Sequence, residues 1–190
     1  RIHKLDPVPF AFLGRPDLGP TGFEQEIARW DRYREWTGLA AVDVLDRGRR
    51  WLDDNRPAPT PPGLAWGDAR LGNFLFRDNA CVSVLDWETA SLGGAESDLG
   101  WWLYYDHVIA EGSGIPRLDG VGDRAATIAL WEQEMGRKAQ AIEWHEAFAT
   151  WRFAWISERA LALAEAAGIP MPIGRGHNNP AVRRMGELIA

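Results

Sequence analysis

Residues Leu64 to Glu88 read LAWGDARLGNFLFRDNACVSVLDWE, and this stretch decides the fold. An apolar, strand-like Leu64-Ala65-Trp66 runs into a polar loop in which Asp68 and Asn73 stand five positions apart. A second apolar run, Cys81-Val82-Ser83-Val84-Leu85, alternates with a period of two and ends on Asp86. Between the two lies Arg77-Asp78-Asn79, whose residue types make turns. Transferring a phosphoryl group asks little covalent work of a protein. It requires a carboxylate to orient the attacking hydroxyl and accept its proton, and oxygen ligands that hold Mg²⁺ against the phosphates. Asp68 is placed for the first task, and Asn73 and Asp86 for the second.

The Asp-x-x-x-x-Asn spacing alone is weak, because Asp and Asn are ordinary turn residues. The joint pattern is stronger: flanking strands, a basic Arg70 two positions after Asp68, and Asp86 at a strand end fit a single site.

These residues resemble the catalytic and metal-binding core of the aminoglycoside phosphotransferase and choline kinase-like family, distant relatives of protein kinases. Trp66-Gly67-Asp68 through Asn73 is similar to that family's His-Gly-Asp-x-x-x-x-Asn loop, and Leu85-Asp86-Trp87-Glu88 to its Asp-Phe/Trp-Gly/Glu metal motif. Glu96-Ser97-Asp98-Leu99-Gly100-Trp101 resembles the helix start that follows. Gly136-Arg137-Lys138 to Arg152-Phe153-Ala154 resembles the late helices of the subgroup similar to the kinase-like domain of acyl-CoA dehydrogenase fusion proteins. The resemblance implies Asp68 and Arg70 as catalytic residues, Asn73 and Asp86 as Mg²⁺ ligands, and ATP or GTP as donor. Trp66 stands where the family most often has His. An indole has one ring nitrogen to offer, so a two-nitrogen link to the metal-motif backbone is not expected from it.

A kinase-like enzyme also needs a lobe that covers the nucleotide, with a phosphate-covering loop and a strand Lys. The two lysines are Lys4 and Lys138, and no Gly-x-Gly-x-x-Gly precedes Asp68. The opening Arg1-Ile2-His3-Lys4-Leu5-Asp6-Pro7 resembles the tail of the helix joining the two lobes in this family. The expected organisation is therefore one domain, residues 1–190, forming a catalytic and acceptor-binding C-terminal lobe without the N-terminal nucleotide lobe, and inactive by itself.

The expected fold class is α+β and mostly helical, around a small β-hairpin carrying the catalytic and metal loops. Thr21-Gly22-Phe23-Glu24 has capping-box spacing and starts a helix to about Thr37, and a second runs from about Leu39 to Asp54. The proline run Arg56 to Gly63 forms an extended connector. Beyond the metal motif, Ser97 or Asp98 caps a helix, and Glu111 to Pro116 is a loop. A helix near Asp123 to Met135 stops at Gly136, a long one spans Ala139 to Ala167, and Asn179-Pro180 starts the last.

Among the eleven tryptophans, Trp144, Trp151 and Trp155 are spaced for one buried helix face rather than for an aromatic cage. Trp101, Tyr105 and His107, which follow the metal motif, and Glu88 within it are the candidates for an acceptor pocket, Glu88 alternatively assisting at the metal. Arg152, in an aromatic helix face, needs a carboxylate partner such as Asp98. The single Cys81 lies in an apolar run and reads as a buried structural thiol.

With 190 residues, 46% hydrophobic and 25% charged, the chain has material for one ordinary core. One cysteine, no membrane-spanning apolar stretch and no signal-peptide region point to the cytoplasm. A net charge of −6 speaks against a nucleic acid partner and suits a neutral or cationic acceptor. The expected activity is O-phosphorylation of a small hydroxylated molecule. A non-catalytic kinase-like binding module is the alternative, and a metal-dependent hydrolase would need further ligands.

Overall fold

The structure, a computed structural model, describes residues 1–59, 61–112, 116–117 and 119–190. Helix α1 (Gly22–Thr37) begins on the predicted capping box. The Thr21 hydroxyl accepts from Glu24 N, and the Glu24 carboxylate accepts from Thr21 N. Gly38, left-handed, ends it. Helix α2 (Asp43–Asp54) starts four residues later than expected, because Leu39 to Val42 lie outside the helix, with Val42 as an extended N-cap.

The proline-rich connector leads into Leu64-Ala65-Trp66. This segment makes only isolated bridges, Gly63 with Gly93 and Ala65 with Ser91, rather than a strand of a sheet. The sheet is the hairpin β1 (Phe74–Arg77) and β2 (Ala80–Val84), antiparallel, with Phe74 opposite Val84 and Arg77 opposite Ala80. Its two-residue turn holds Asp78 and Asn79 at φ of 49° and 60°. Asp and Asn tolerate that region, and such turns match the strand twist. An irregularity after Leu75 breaks the register.

Beyond the Phe74–Val84 pair, which packs against the core, both faces of the hairpin are open: Leu75, Phe76 and Val82 are all about half exposed, as is Leu85 just after it. Cys81 is therefore exposed, against the expectation of a buried thiol. The period-two pattern around it was real, but no core layer lies behind it.

Helix α3 (Ala95–Asp106) is capped by Gly94 rather than by Ser97 or Asp98, which are buried in its first turn. A π-helical turn continues it through residues 107–112, so the predicted loop begins later than Glu111, and residues 113–115 lie outside those described. Helix α4 (Arg124–Met135) ends at left-handed Gly136 as predicted, and the Asp123 side chain caps its start by accepting from Ala126 N. Helix α5 (Ile142–Ala166) is the central element, and α6 (Pro180–Leu188) closes the chain under the Asn179 cap.

The core lies between α5 and the helices around it. Phe148, Trp151 and Trp155 stack along α5 against Trp30, Leu45 and Met185. The indoles of Trp144 and Trp151 donate to the carbonyls of Leu52 and Leu45, 2.8 and 3.1 Å away, which satisfies polar atoms inside an apolar face. Helices α3 and α5 approach so closely that a Cβ on Gly100 would stand 2.5 Å from the His145 carbonyl carbon. That contact fixes the position of α3, and α3 in turn reaches the Asp68 loop.

Candidate active site

The loop after Trp66 is held by one carboxylate. Asp98, on the first turn of α3, accepts from the backbone N–H groups of Trp66 and Gly67, each at 2.7 Å. Its Oδ2 is also 2.8 Å from His3 Nε2. Gly67 is required here: its φ is 97°, and a Cβ would meet the Thr89 carbonyl at 2.4 Å. The backbone is thus pinned on both sides immediately before Asp68.

Asp68 sits within a ring of donors. Its Oδ2 accepts from Asn73 Nδ2 at 2.6 Å and from Arg70 Nε at 3.0 Å, and its Oδ1 accepts from Trp101 Nε1 at 2.8 Å. Asn73 Nδ2 also reaches the Asp68 carbonyl at 3.1 Å. These bonds use the nitrogen of the Asn73 amide. Its Oδ1 takes part in no hydrogen bond among the described residues.

Burial works against the Arg70 charge, yet the Asp68 carboxylate prevails and its pKa rises. The Tyr105 ring lies 5.7 Å under the Arg70 guanidinium and 5.5 Å from Trp101. Burial, and then the negative charge of Asp68, push the Tyr105 phenol up to about 12, so it stays protonated.

Asp86 stands across the loop base. Its φ of 63° is uncommon for a residue with a side chain. The conformation is braced on both sides: Leu85 N donates to Asn73 O at 2.8 Å, and the Trp66 indole donates to Leu85 O at 2.8 Å and to Asp86 O at 3.1 Å. Trp66 therefore ties the two loops together through its single ring nitrogen, in place of the two-nitrogen link of a His. The Asp86 carboxylate is exposed, and it is close enough to support the charge on Arg70.

No group of three or more His, Cys, Asp or Glu among the described residues could hold a metal by itself. The free Asn73 Oδ1 and the open Asp86 carboxylate are nonetheless the hard oxygen donors that Mg²⁺ takes, since that ion keeps water and phosphate oxygens in its other positions.

The four acceptor candidates separate. Trp101 is buried and reaches Asp68 directly, and Tyr105 packs on Trp101. Glu88 is exposed and lies elsewhere, where its carbonyl accepts from Arg29 Nη2. His107, half-buried, opens the π-helical turn at the end of α3.

Arg152 pairs with Glu26, 3.6 Å away, rather than with Asp98. Its guanidinium lies 4.5 Å from the rings of both Trp30 and Trp101 and points Nη2 at the Gly67 carbonyl, 3.4 Å away. Burial lowers its pKa, and Glu26 offsets part of that. Glu26 carries no local motif, and the motif around Asp98 did not announce its bonds to the Trp66 and Gly67 amides; the fold brings both residues, with His3, to the loop.

Residues 1–118 match the phosphotransferase enzyme family. The chain belongs to that family. It is similar to acyl-CoA dehydrogenase family member 11 of Pongo abelii, 23% identical over 137 residues that make up 67% of this chain and 18% of that protein. The Homo sapiens member 11 is 26% identical over 116 residues, 54% of this chain and 15% of that protein. Member 10 of Mus musculus is 25% identical over 105 residues, 53% of this chain and 10% of that protein. The chain thus spans less than a fifth of each.

In fold it resembles a crystal structure from Ralstonia eutropha JMP134, provisionally assigned as an aminoglycoside phosphotransferase. The TM-score is 0.68 at 24% identity, over 99% of this chain and 59% of that one. The helical architecture with one small hairpin is accordingly that of the aminoglycoside phosphotransferase, kinase-like fold.

Proposed function

We infer that this chain is the catalytic lobe of an O-phosphotransferase that moves the γ-phosphoryl group of ATP or GTP to a small hydroxylated acceptor. The observation that carries this reading is the arrangement around Asp68. Its carboxylate is oriented by Trp101, Arg70 and Asn73, while Asn73 Oδ1 and the Asp86 carboxylate are left for Mg²⁺. When bound, the ion supplies charge neutralisation at the phosphates. The acceptor oxygen forms the new bond to phosphorus and its proton passes to Asp68. The bond to the bridging oxygen breaks, and its electron pair leaves on the nucleoside diphosphate.

The exposed apolar side chains Leu71, Leu75, Phe76, Leu85 and Trp87 surround these loops. An open patch of that kind beside a catalytic loop supports a covering lobe that contributes the phosphate-positioning groups and excludes water. Residues 1–190 are then the C-terminal part of a two-lobed enzyme and are inactive without the other lobe. None of the described helices is long and apolar enough to cross a membrane, in keeping with an enzyme that works in the cytoplasm.

The test is transfer from γ-labelled ATP and GTP to a panel of alcohols by the full-length protein and its Asp68→Asn variant. The variant should bind nucleotide normally and lose transfer by on the order of 10²-fold or more. Equal transfer by both would remove Asp68 as the base. Nucleotide binding with no transfer by the wild type would leave a non-catalytic binding module.

A further inference from the structure

The Trp101 indole that donates to Asp68 has a second neighbour, behind it in the core. Arg152 on α5 is 1% exposed, and its guanidinium lies between two rings, 4.5 Å from the centroid of Trp101 and 4.5 Å from that of Trp30. From this slot Nη2 donates at 3.4 Å to the Gly67 carbonyl, which belongs to the peptide unit leading into Asp68. On the other side Nη1 stands 3.6 Å from Glu26 Oε1, an oxygen that already accepts from the Trp30 indole at 2.7 Å. Nε has no hydrogen-bond partner among the described residues. One side chain therefore touches both the backbone that carries Asp68 and the ring that orients its carboxylate.

Stability alone does not call for a charge in this slot. A buried guanidinium gives up its water, and replacing a buried ion pair by apolar side chains of similar volume is often neutral or stabilising. Here the pair is long and one nitrogen is left over, so the structure recovers little of that cost through Glu26. What the loop does gain is a positive charge beneath it. Glu26, Asp98 and Asp68 all act on the Arg152 charge, and all three carboxylates are largely buried. Arg29 and Arg70 reach the same region from partly exposed positions, whereas Arg152 meets it from inside. A cation over the face of an indole is drawn to the ring and pulls electron density from it, which makes the N–H at the ring edge a stronger donor.

We propose that Arg152 is a positioning residue for phosphoryl transfer. It fixes the Gly67 carbonyl and the Trp101 ring in one register, and its charge strengthens the indole N–H that holds Asp68. The role rests on the phosphotransferase reading, in which Asp68 is the base. Arg152 acts through Trp101 and the loop backbone, from behind the residues that face the cleft. Lysine in its place keeps the charge but cannot present a planar face to two rings while donating to the Gly67 carbonyl.

The test uses the full-length protein with two changes at this position. Arg152→Lys keeps a positive charge opposite Glu26, and Arg152→Met combined with Glu26→Gln removes both charges together. Each is assayed for transfer from γ-labelled ATP well below its unfolding midpoint. Arg152→Lys should lower kcat about fivefold and the double variant about tenfold or more, both with the ATP KM within about twofold. Made in a Trp101→Phe background, the same changes should each cost less than about twofold further. In a proton–nitrogen correlation spectrum, the indole signal that Trp101→Phe deletes should move upfield in both variants as its bond to Asp68 weakens.

Transfer by the wild type with kcat kept within about twofold in both variants, or losses as large in the Trp101→Phe background as outside it, overturns the role of Arg152 and leaves the phosphotransferase standing. A fallen kcat beside an unmoved Trp101 signal overturns it as well, because the guanidinium then does not act through the indole. No transfer by the wild type overturns both readings. If the double variant does not fold, Arg152→Lys with and without Trp101→Phe decides the matter.

Discussion

The indole Nε1 of Trp66 donates to the Leu85 carbonyl at 2.8 Å, joining the loop that carries Asp68 to the residue before Asp86. The same N–H lies 3.1 Å from the Asp86 carbonyl, in a residue whose backbone is already in the left-handed region. One donor therefore steadies two carbonyls and the unusual backbone between them.

Trp66→Phe keeps an aromatic ring against Phe74 and removes that donor. The full-length protein should then hold Mg²⁺ in its nucleotide complex roughly tenfold less tightly, the scale on which groups that orient metal ligands act. A titration of rate against Mg²⁺ at saturating nucleotide measures it. Unchanged Mg²⁺ dependence would show that Asp86 needs no such brace.

Trp101→Phe should act on the chemical step. Its indole N–H is 2.8 Å from Asp68 Oδ1, a bond to an ionised acceptor, and such bonds contribute about 1.5–3 kcal/mol. The expected loss is about tenfold or more in kcat with the nucleotide KM preserved. If Trp101 works through Asp68, the same substitution made in an Asp68→Asn background should cost little further. Additive losses would assign Trp101 to packing alone.

The stretch proposed to carry the chemistry was legible because its pattern is local. Asp68, Arg70, Asn73 and Asp86 lie within nineteen residues, and hairpin geometry brings them together. Helix caps at Thr21 and Asn179 were legible for the same reason, since a cap is a property of four consecutive residues.

What the sequence concealed depends on distance along the chain. Asp98 looked like a helix cap, an ordinary role for Asp, but reaches back about thirty residues to the Trp66 and Gly67 amides. Nothing in the local sequence around Glu26 marks it as the partner of Arg152 across the core. Cys81 failed in the other direction: an alternating pattern states which residues share a face, not whether anything packs against that face.

The Arg152–Glu26 pair gives a stability prediction. Both side chains are at most 4% exposed, and the guanidinium is enclosed by Trp30, Trp101 and Phe148. Arg152→Met leaves the Glu26 charge without this partner and should cost about 3–5 kcal/mol, read from denaturant midpoints. Adding Glu26→Gln should recover part of that loss, because the stranded charge is gone. If the double variant is less stable than Arg152→Met, the cost of the first substitution came from lost packing around the guanidinium.

His145 sets an acid limit on the fold. Among the described residues neither ring nitrogen has a hydrogen-bond partner, and burial between α3 and α5 lowers its pKa from 6.5 to about 4. Burial, reinforced by the charge on Arg152, outweighs the upward pull of Glu96. Glu96 itself is held below its ordinary range, because its pair with Arg137 overcomes the effect of burial. Its own acid sensitivity therefore falls lower on the pH scale. Between pH 6.5 and about 4 the unfolded chain binds a proton at His145 that the folded chain refuses, so stability falls as the pH drops through that window. The slope at full effect is about 1.4 kcal/mol per pH unit for one proton. His145→Phe, beside Phe23 and Trp144, abolishes this titration and should flatten unfolding free energy against pH in that window, whatever its effect on stability at neutral pH. An unchanged slope in the variant would place the acid sensitivity elsewhere and mean that the imidazole is protonated within the folded core.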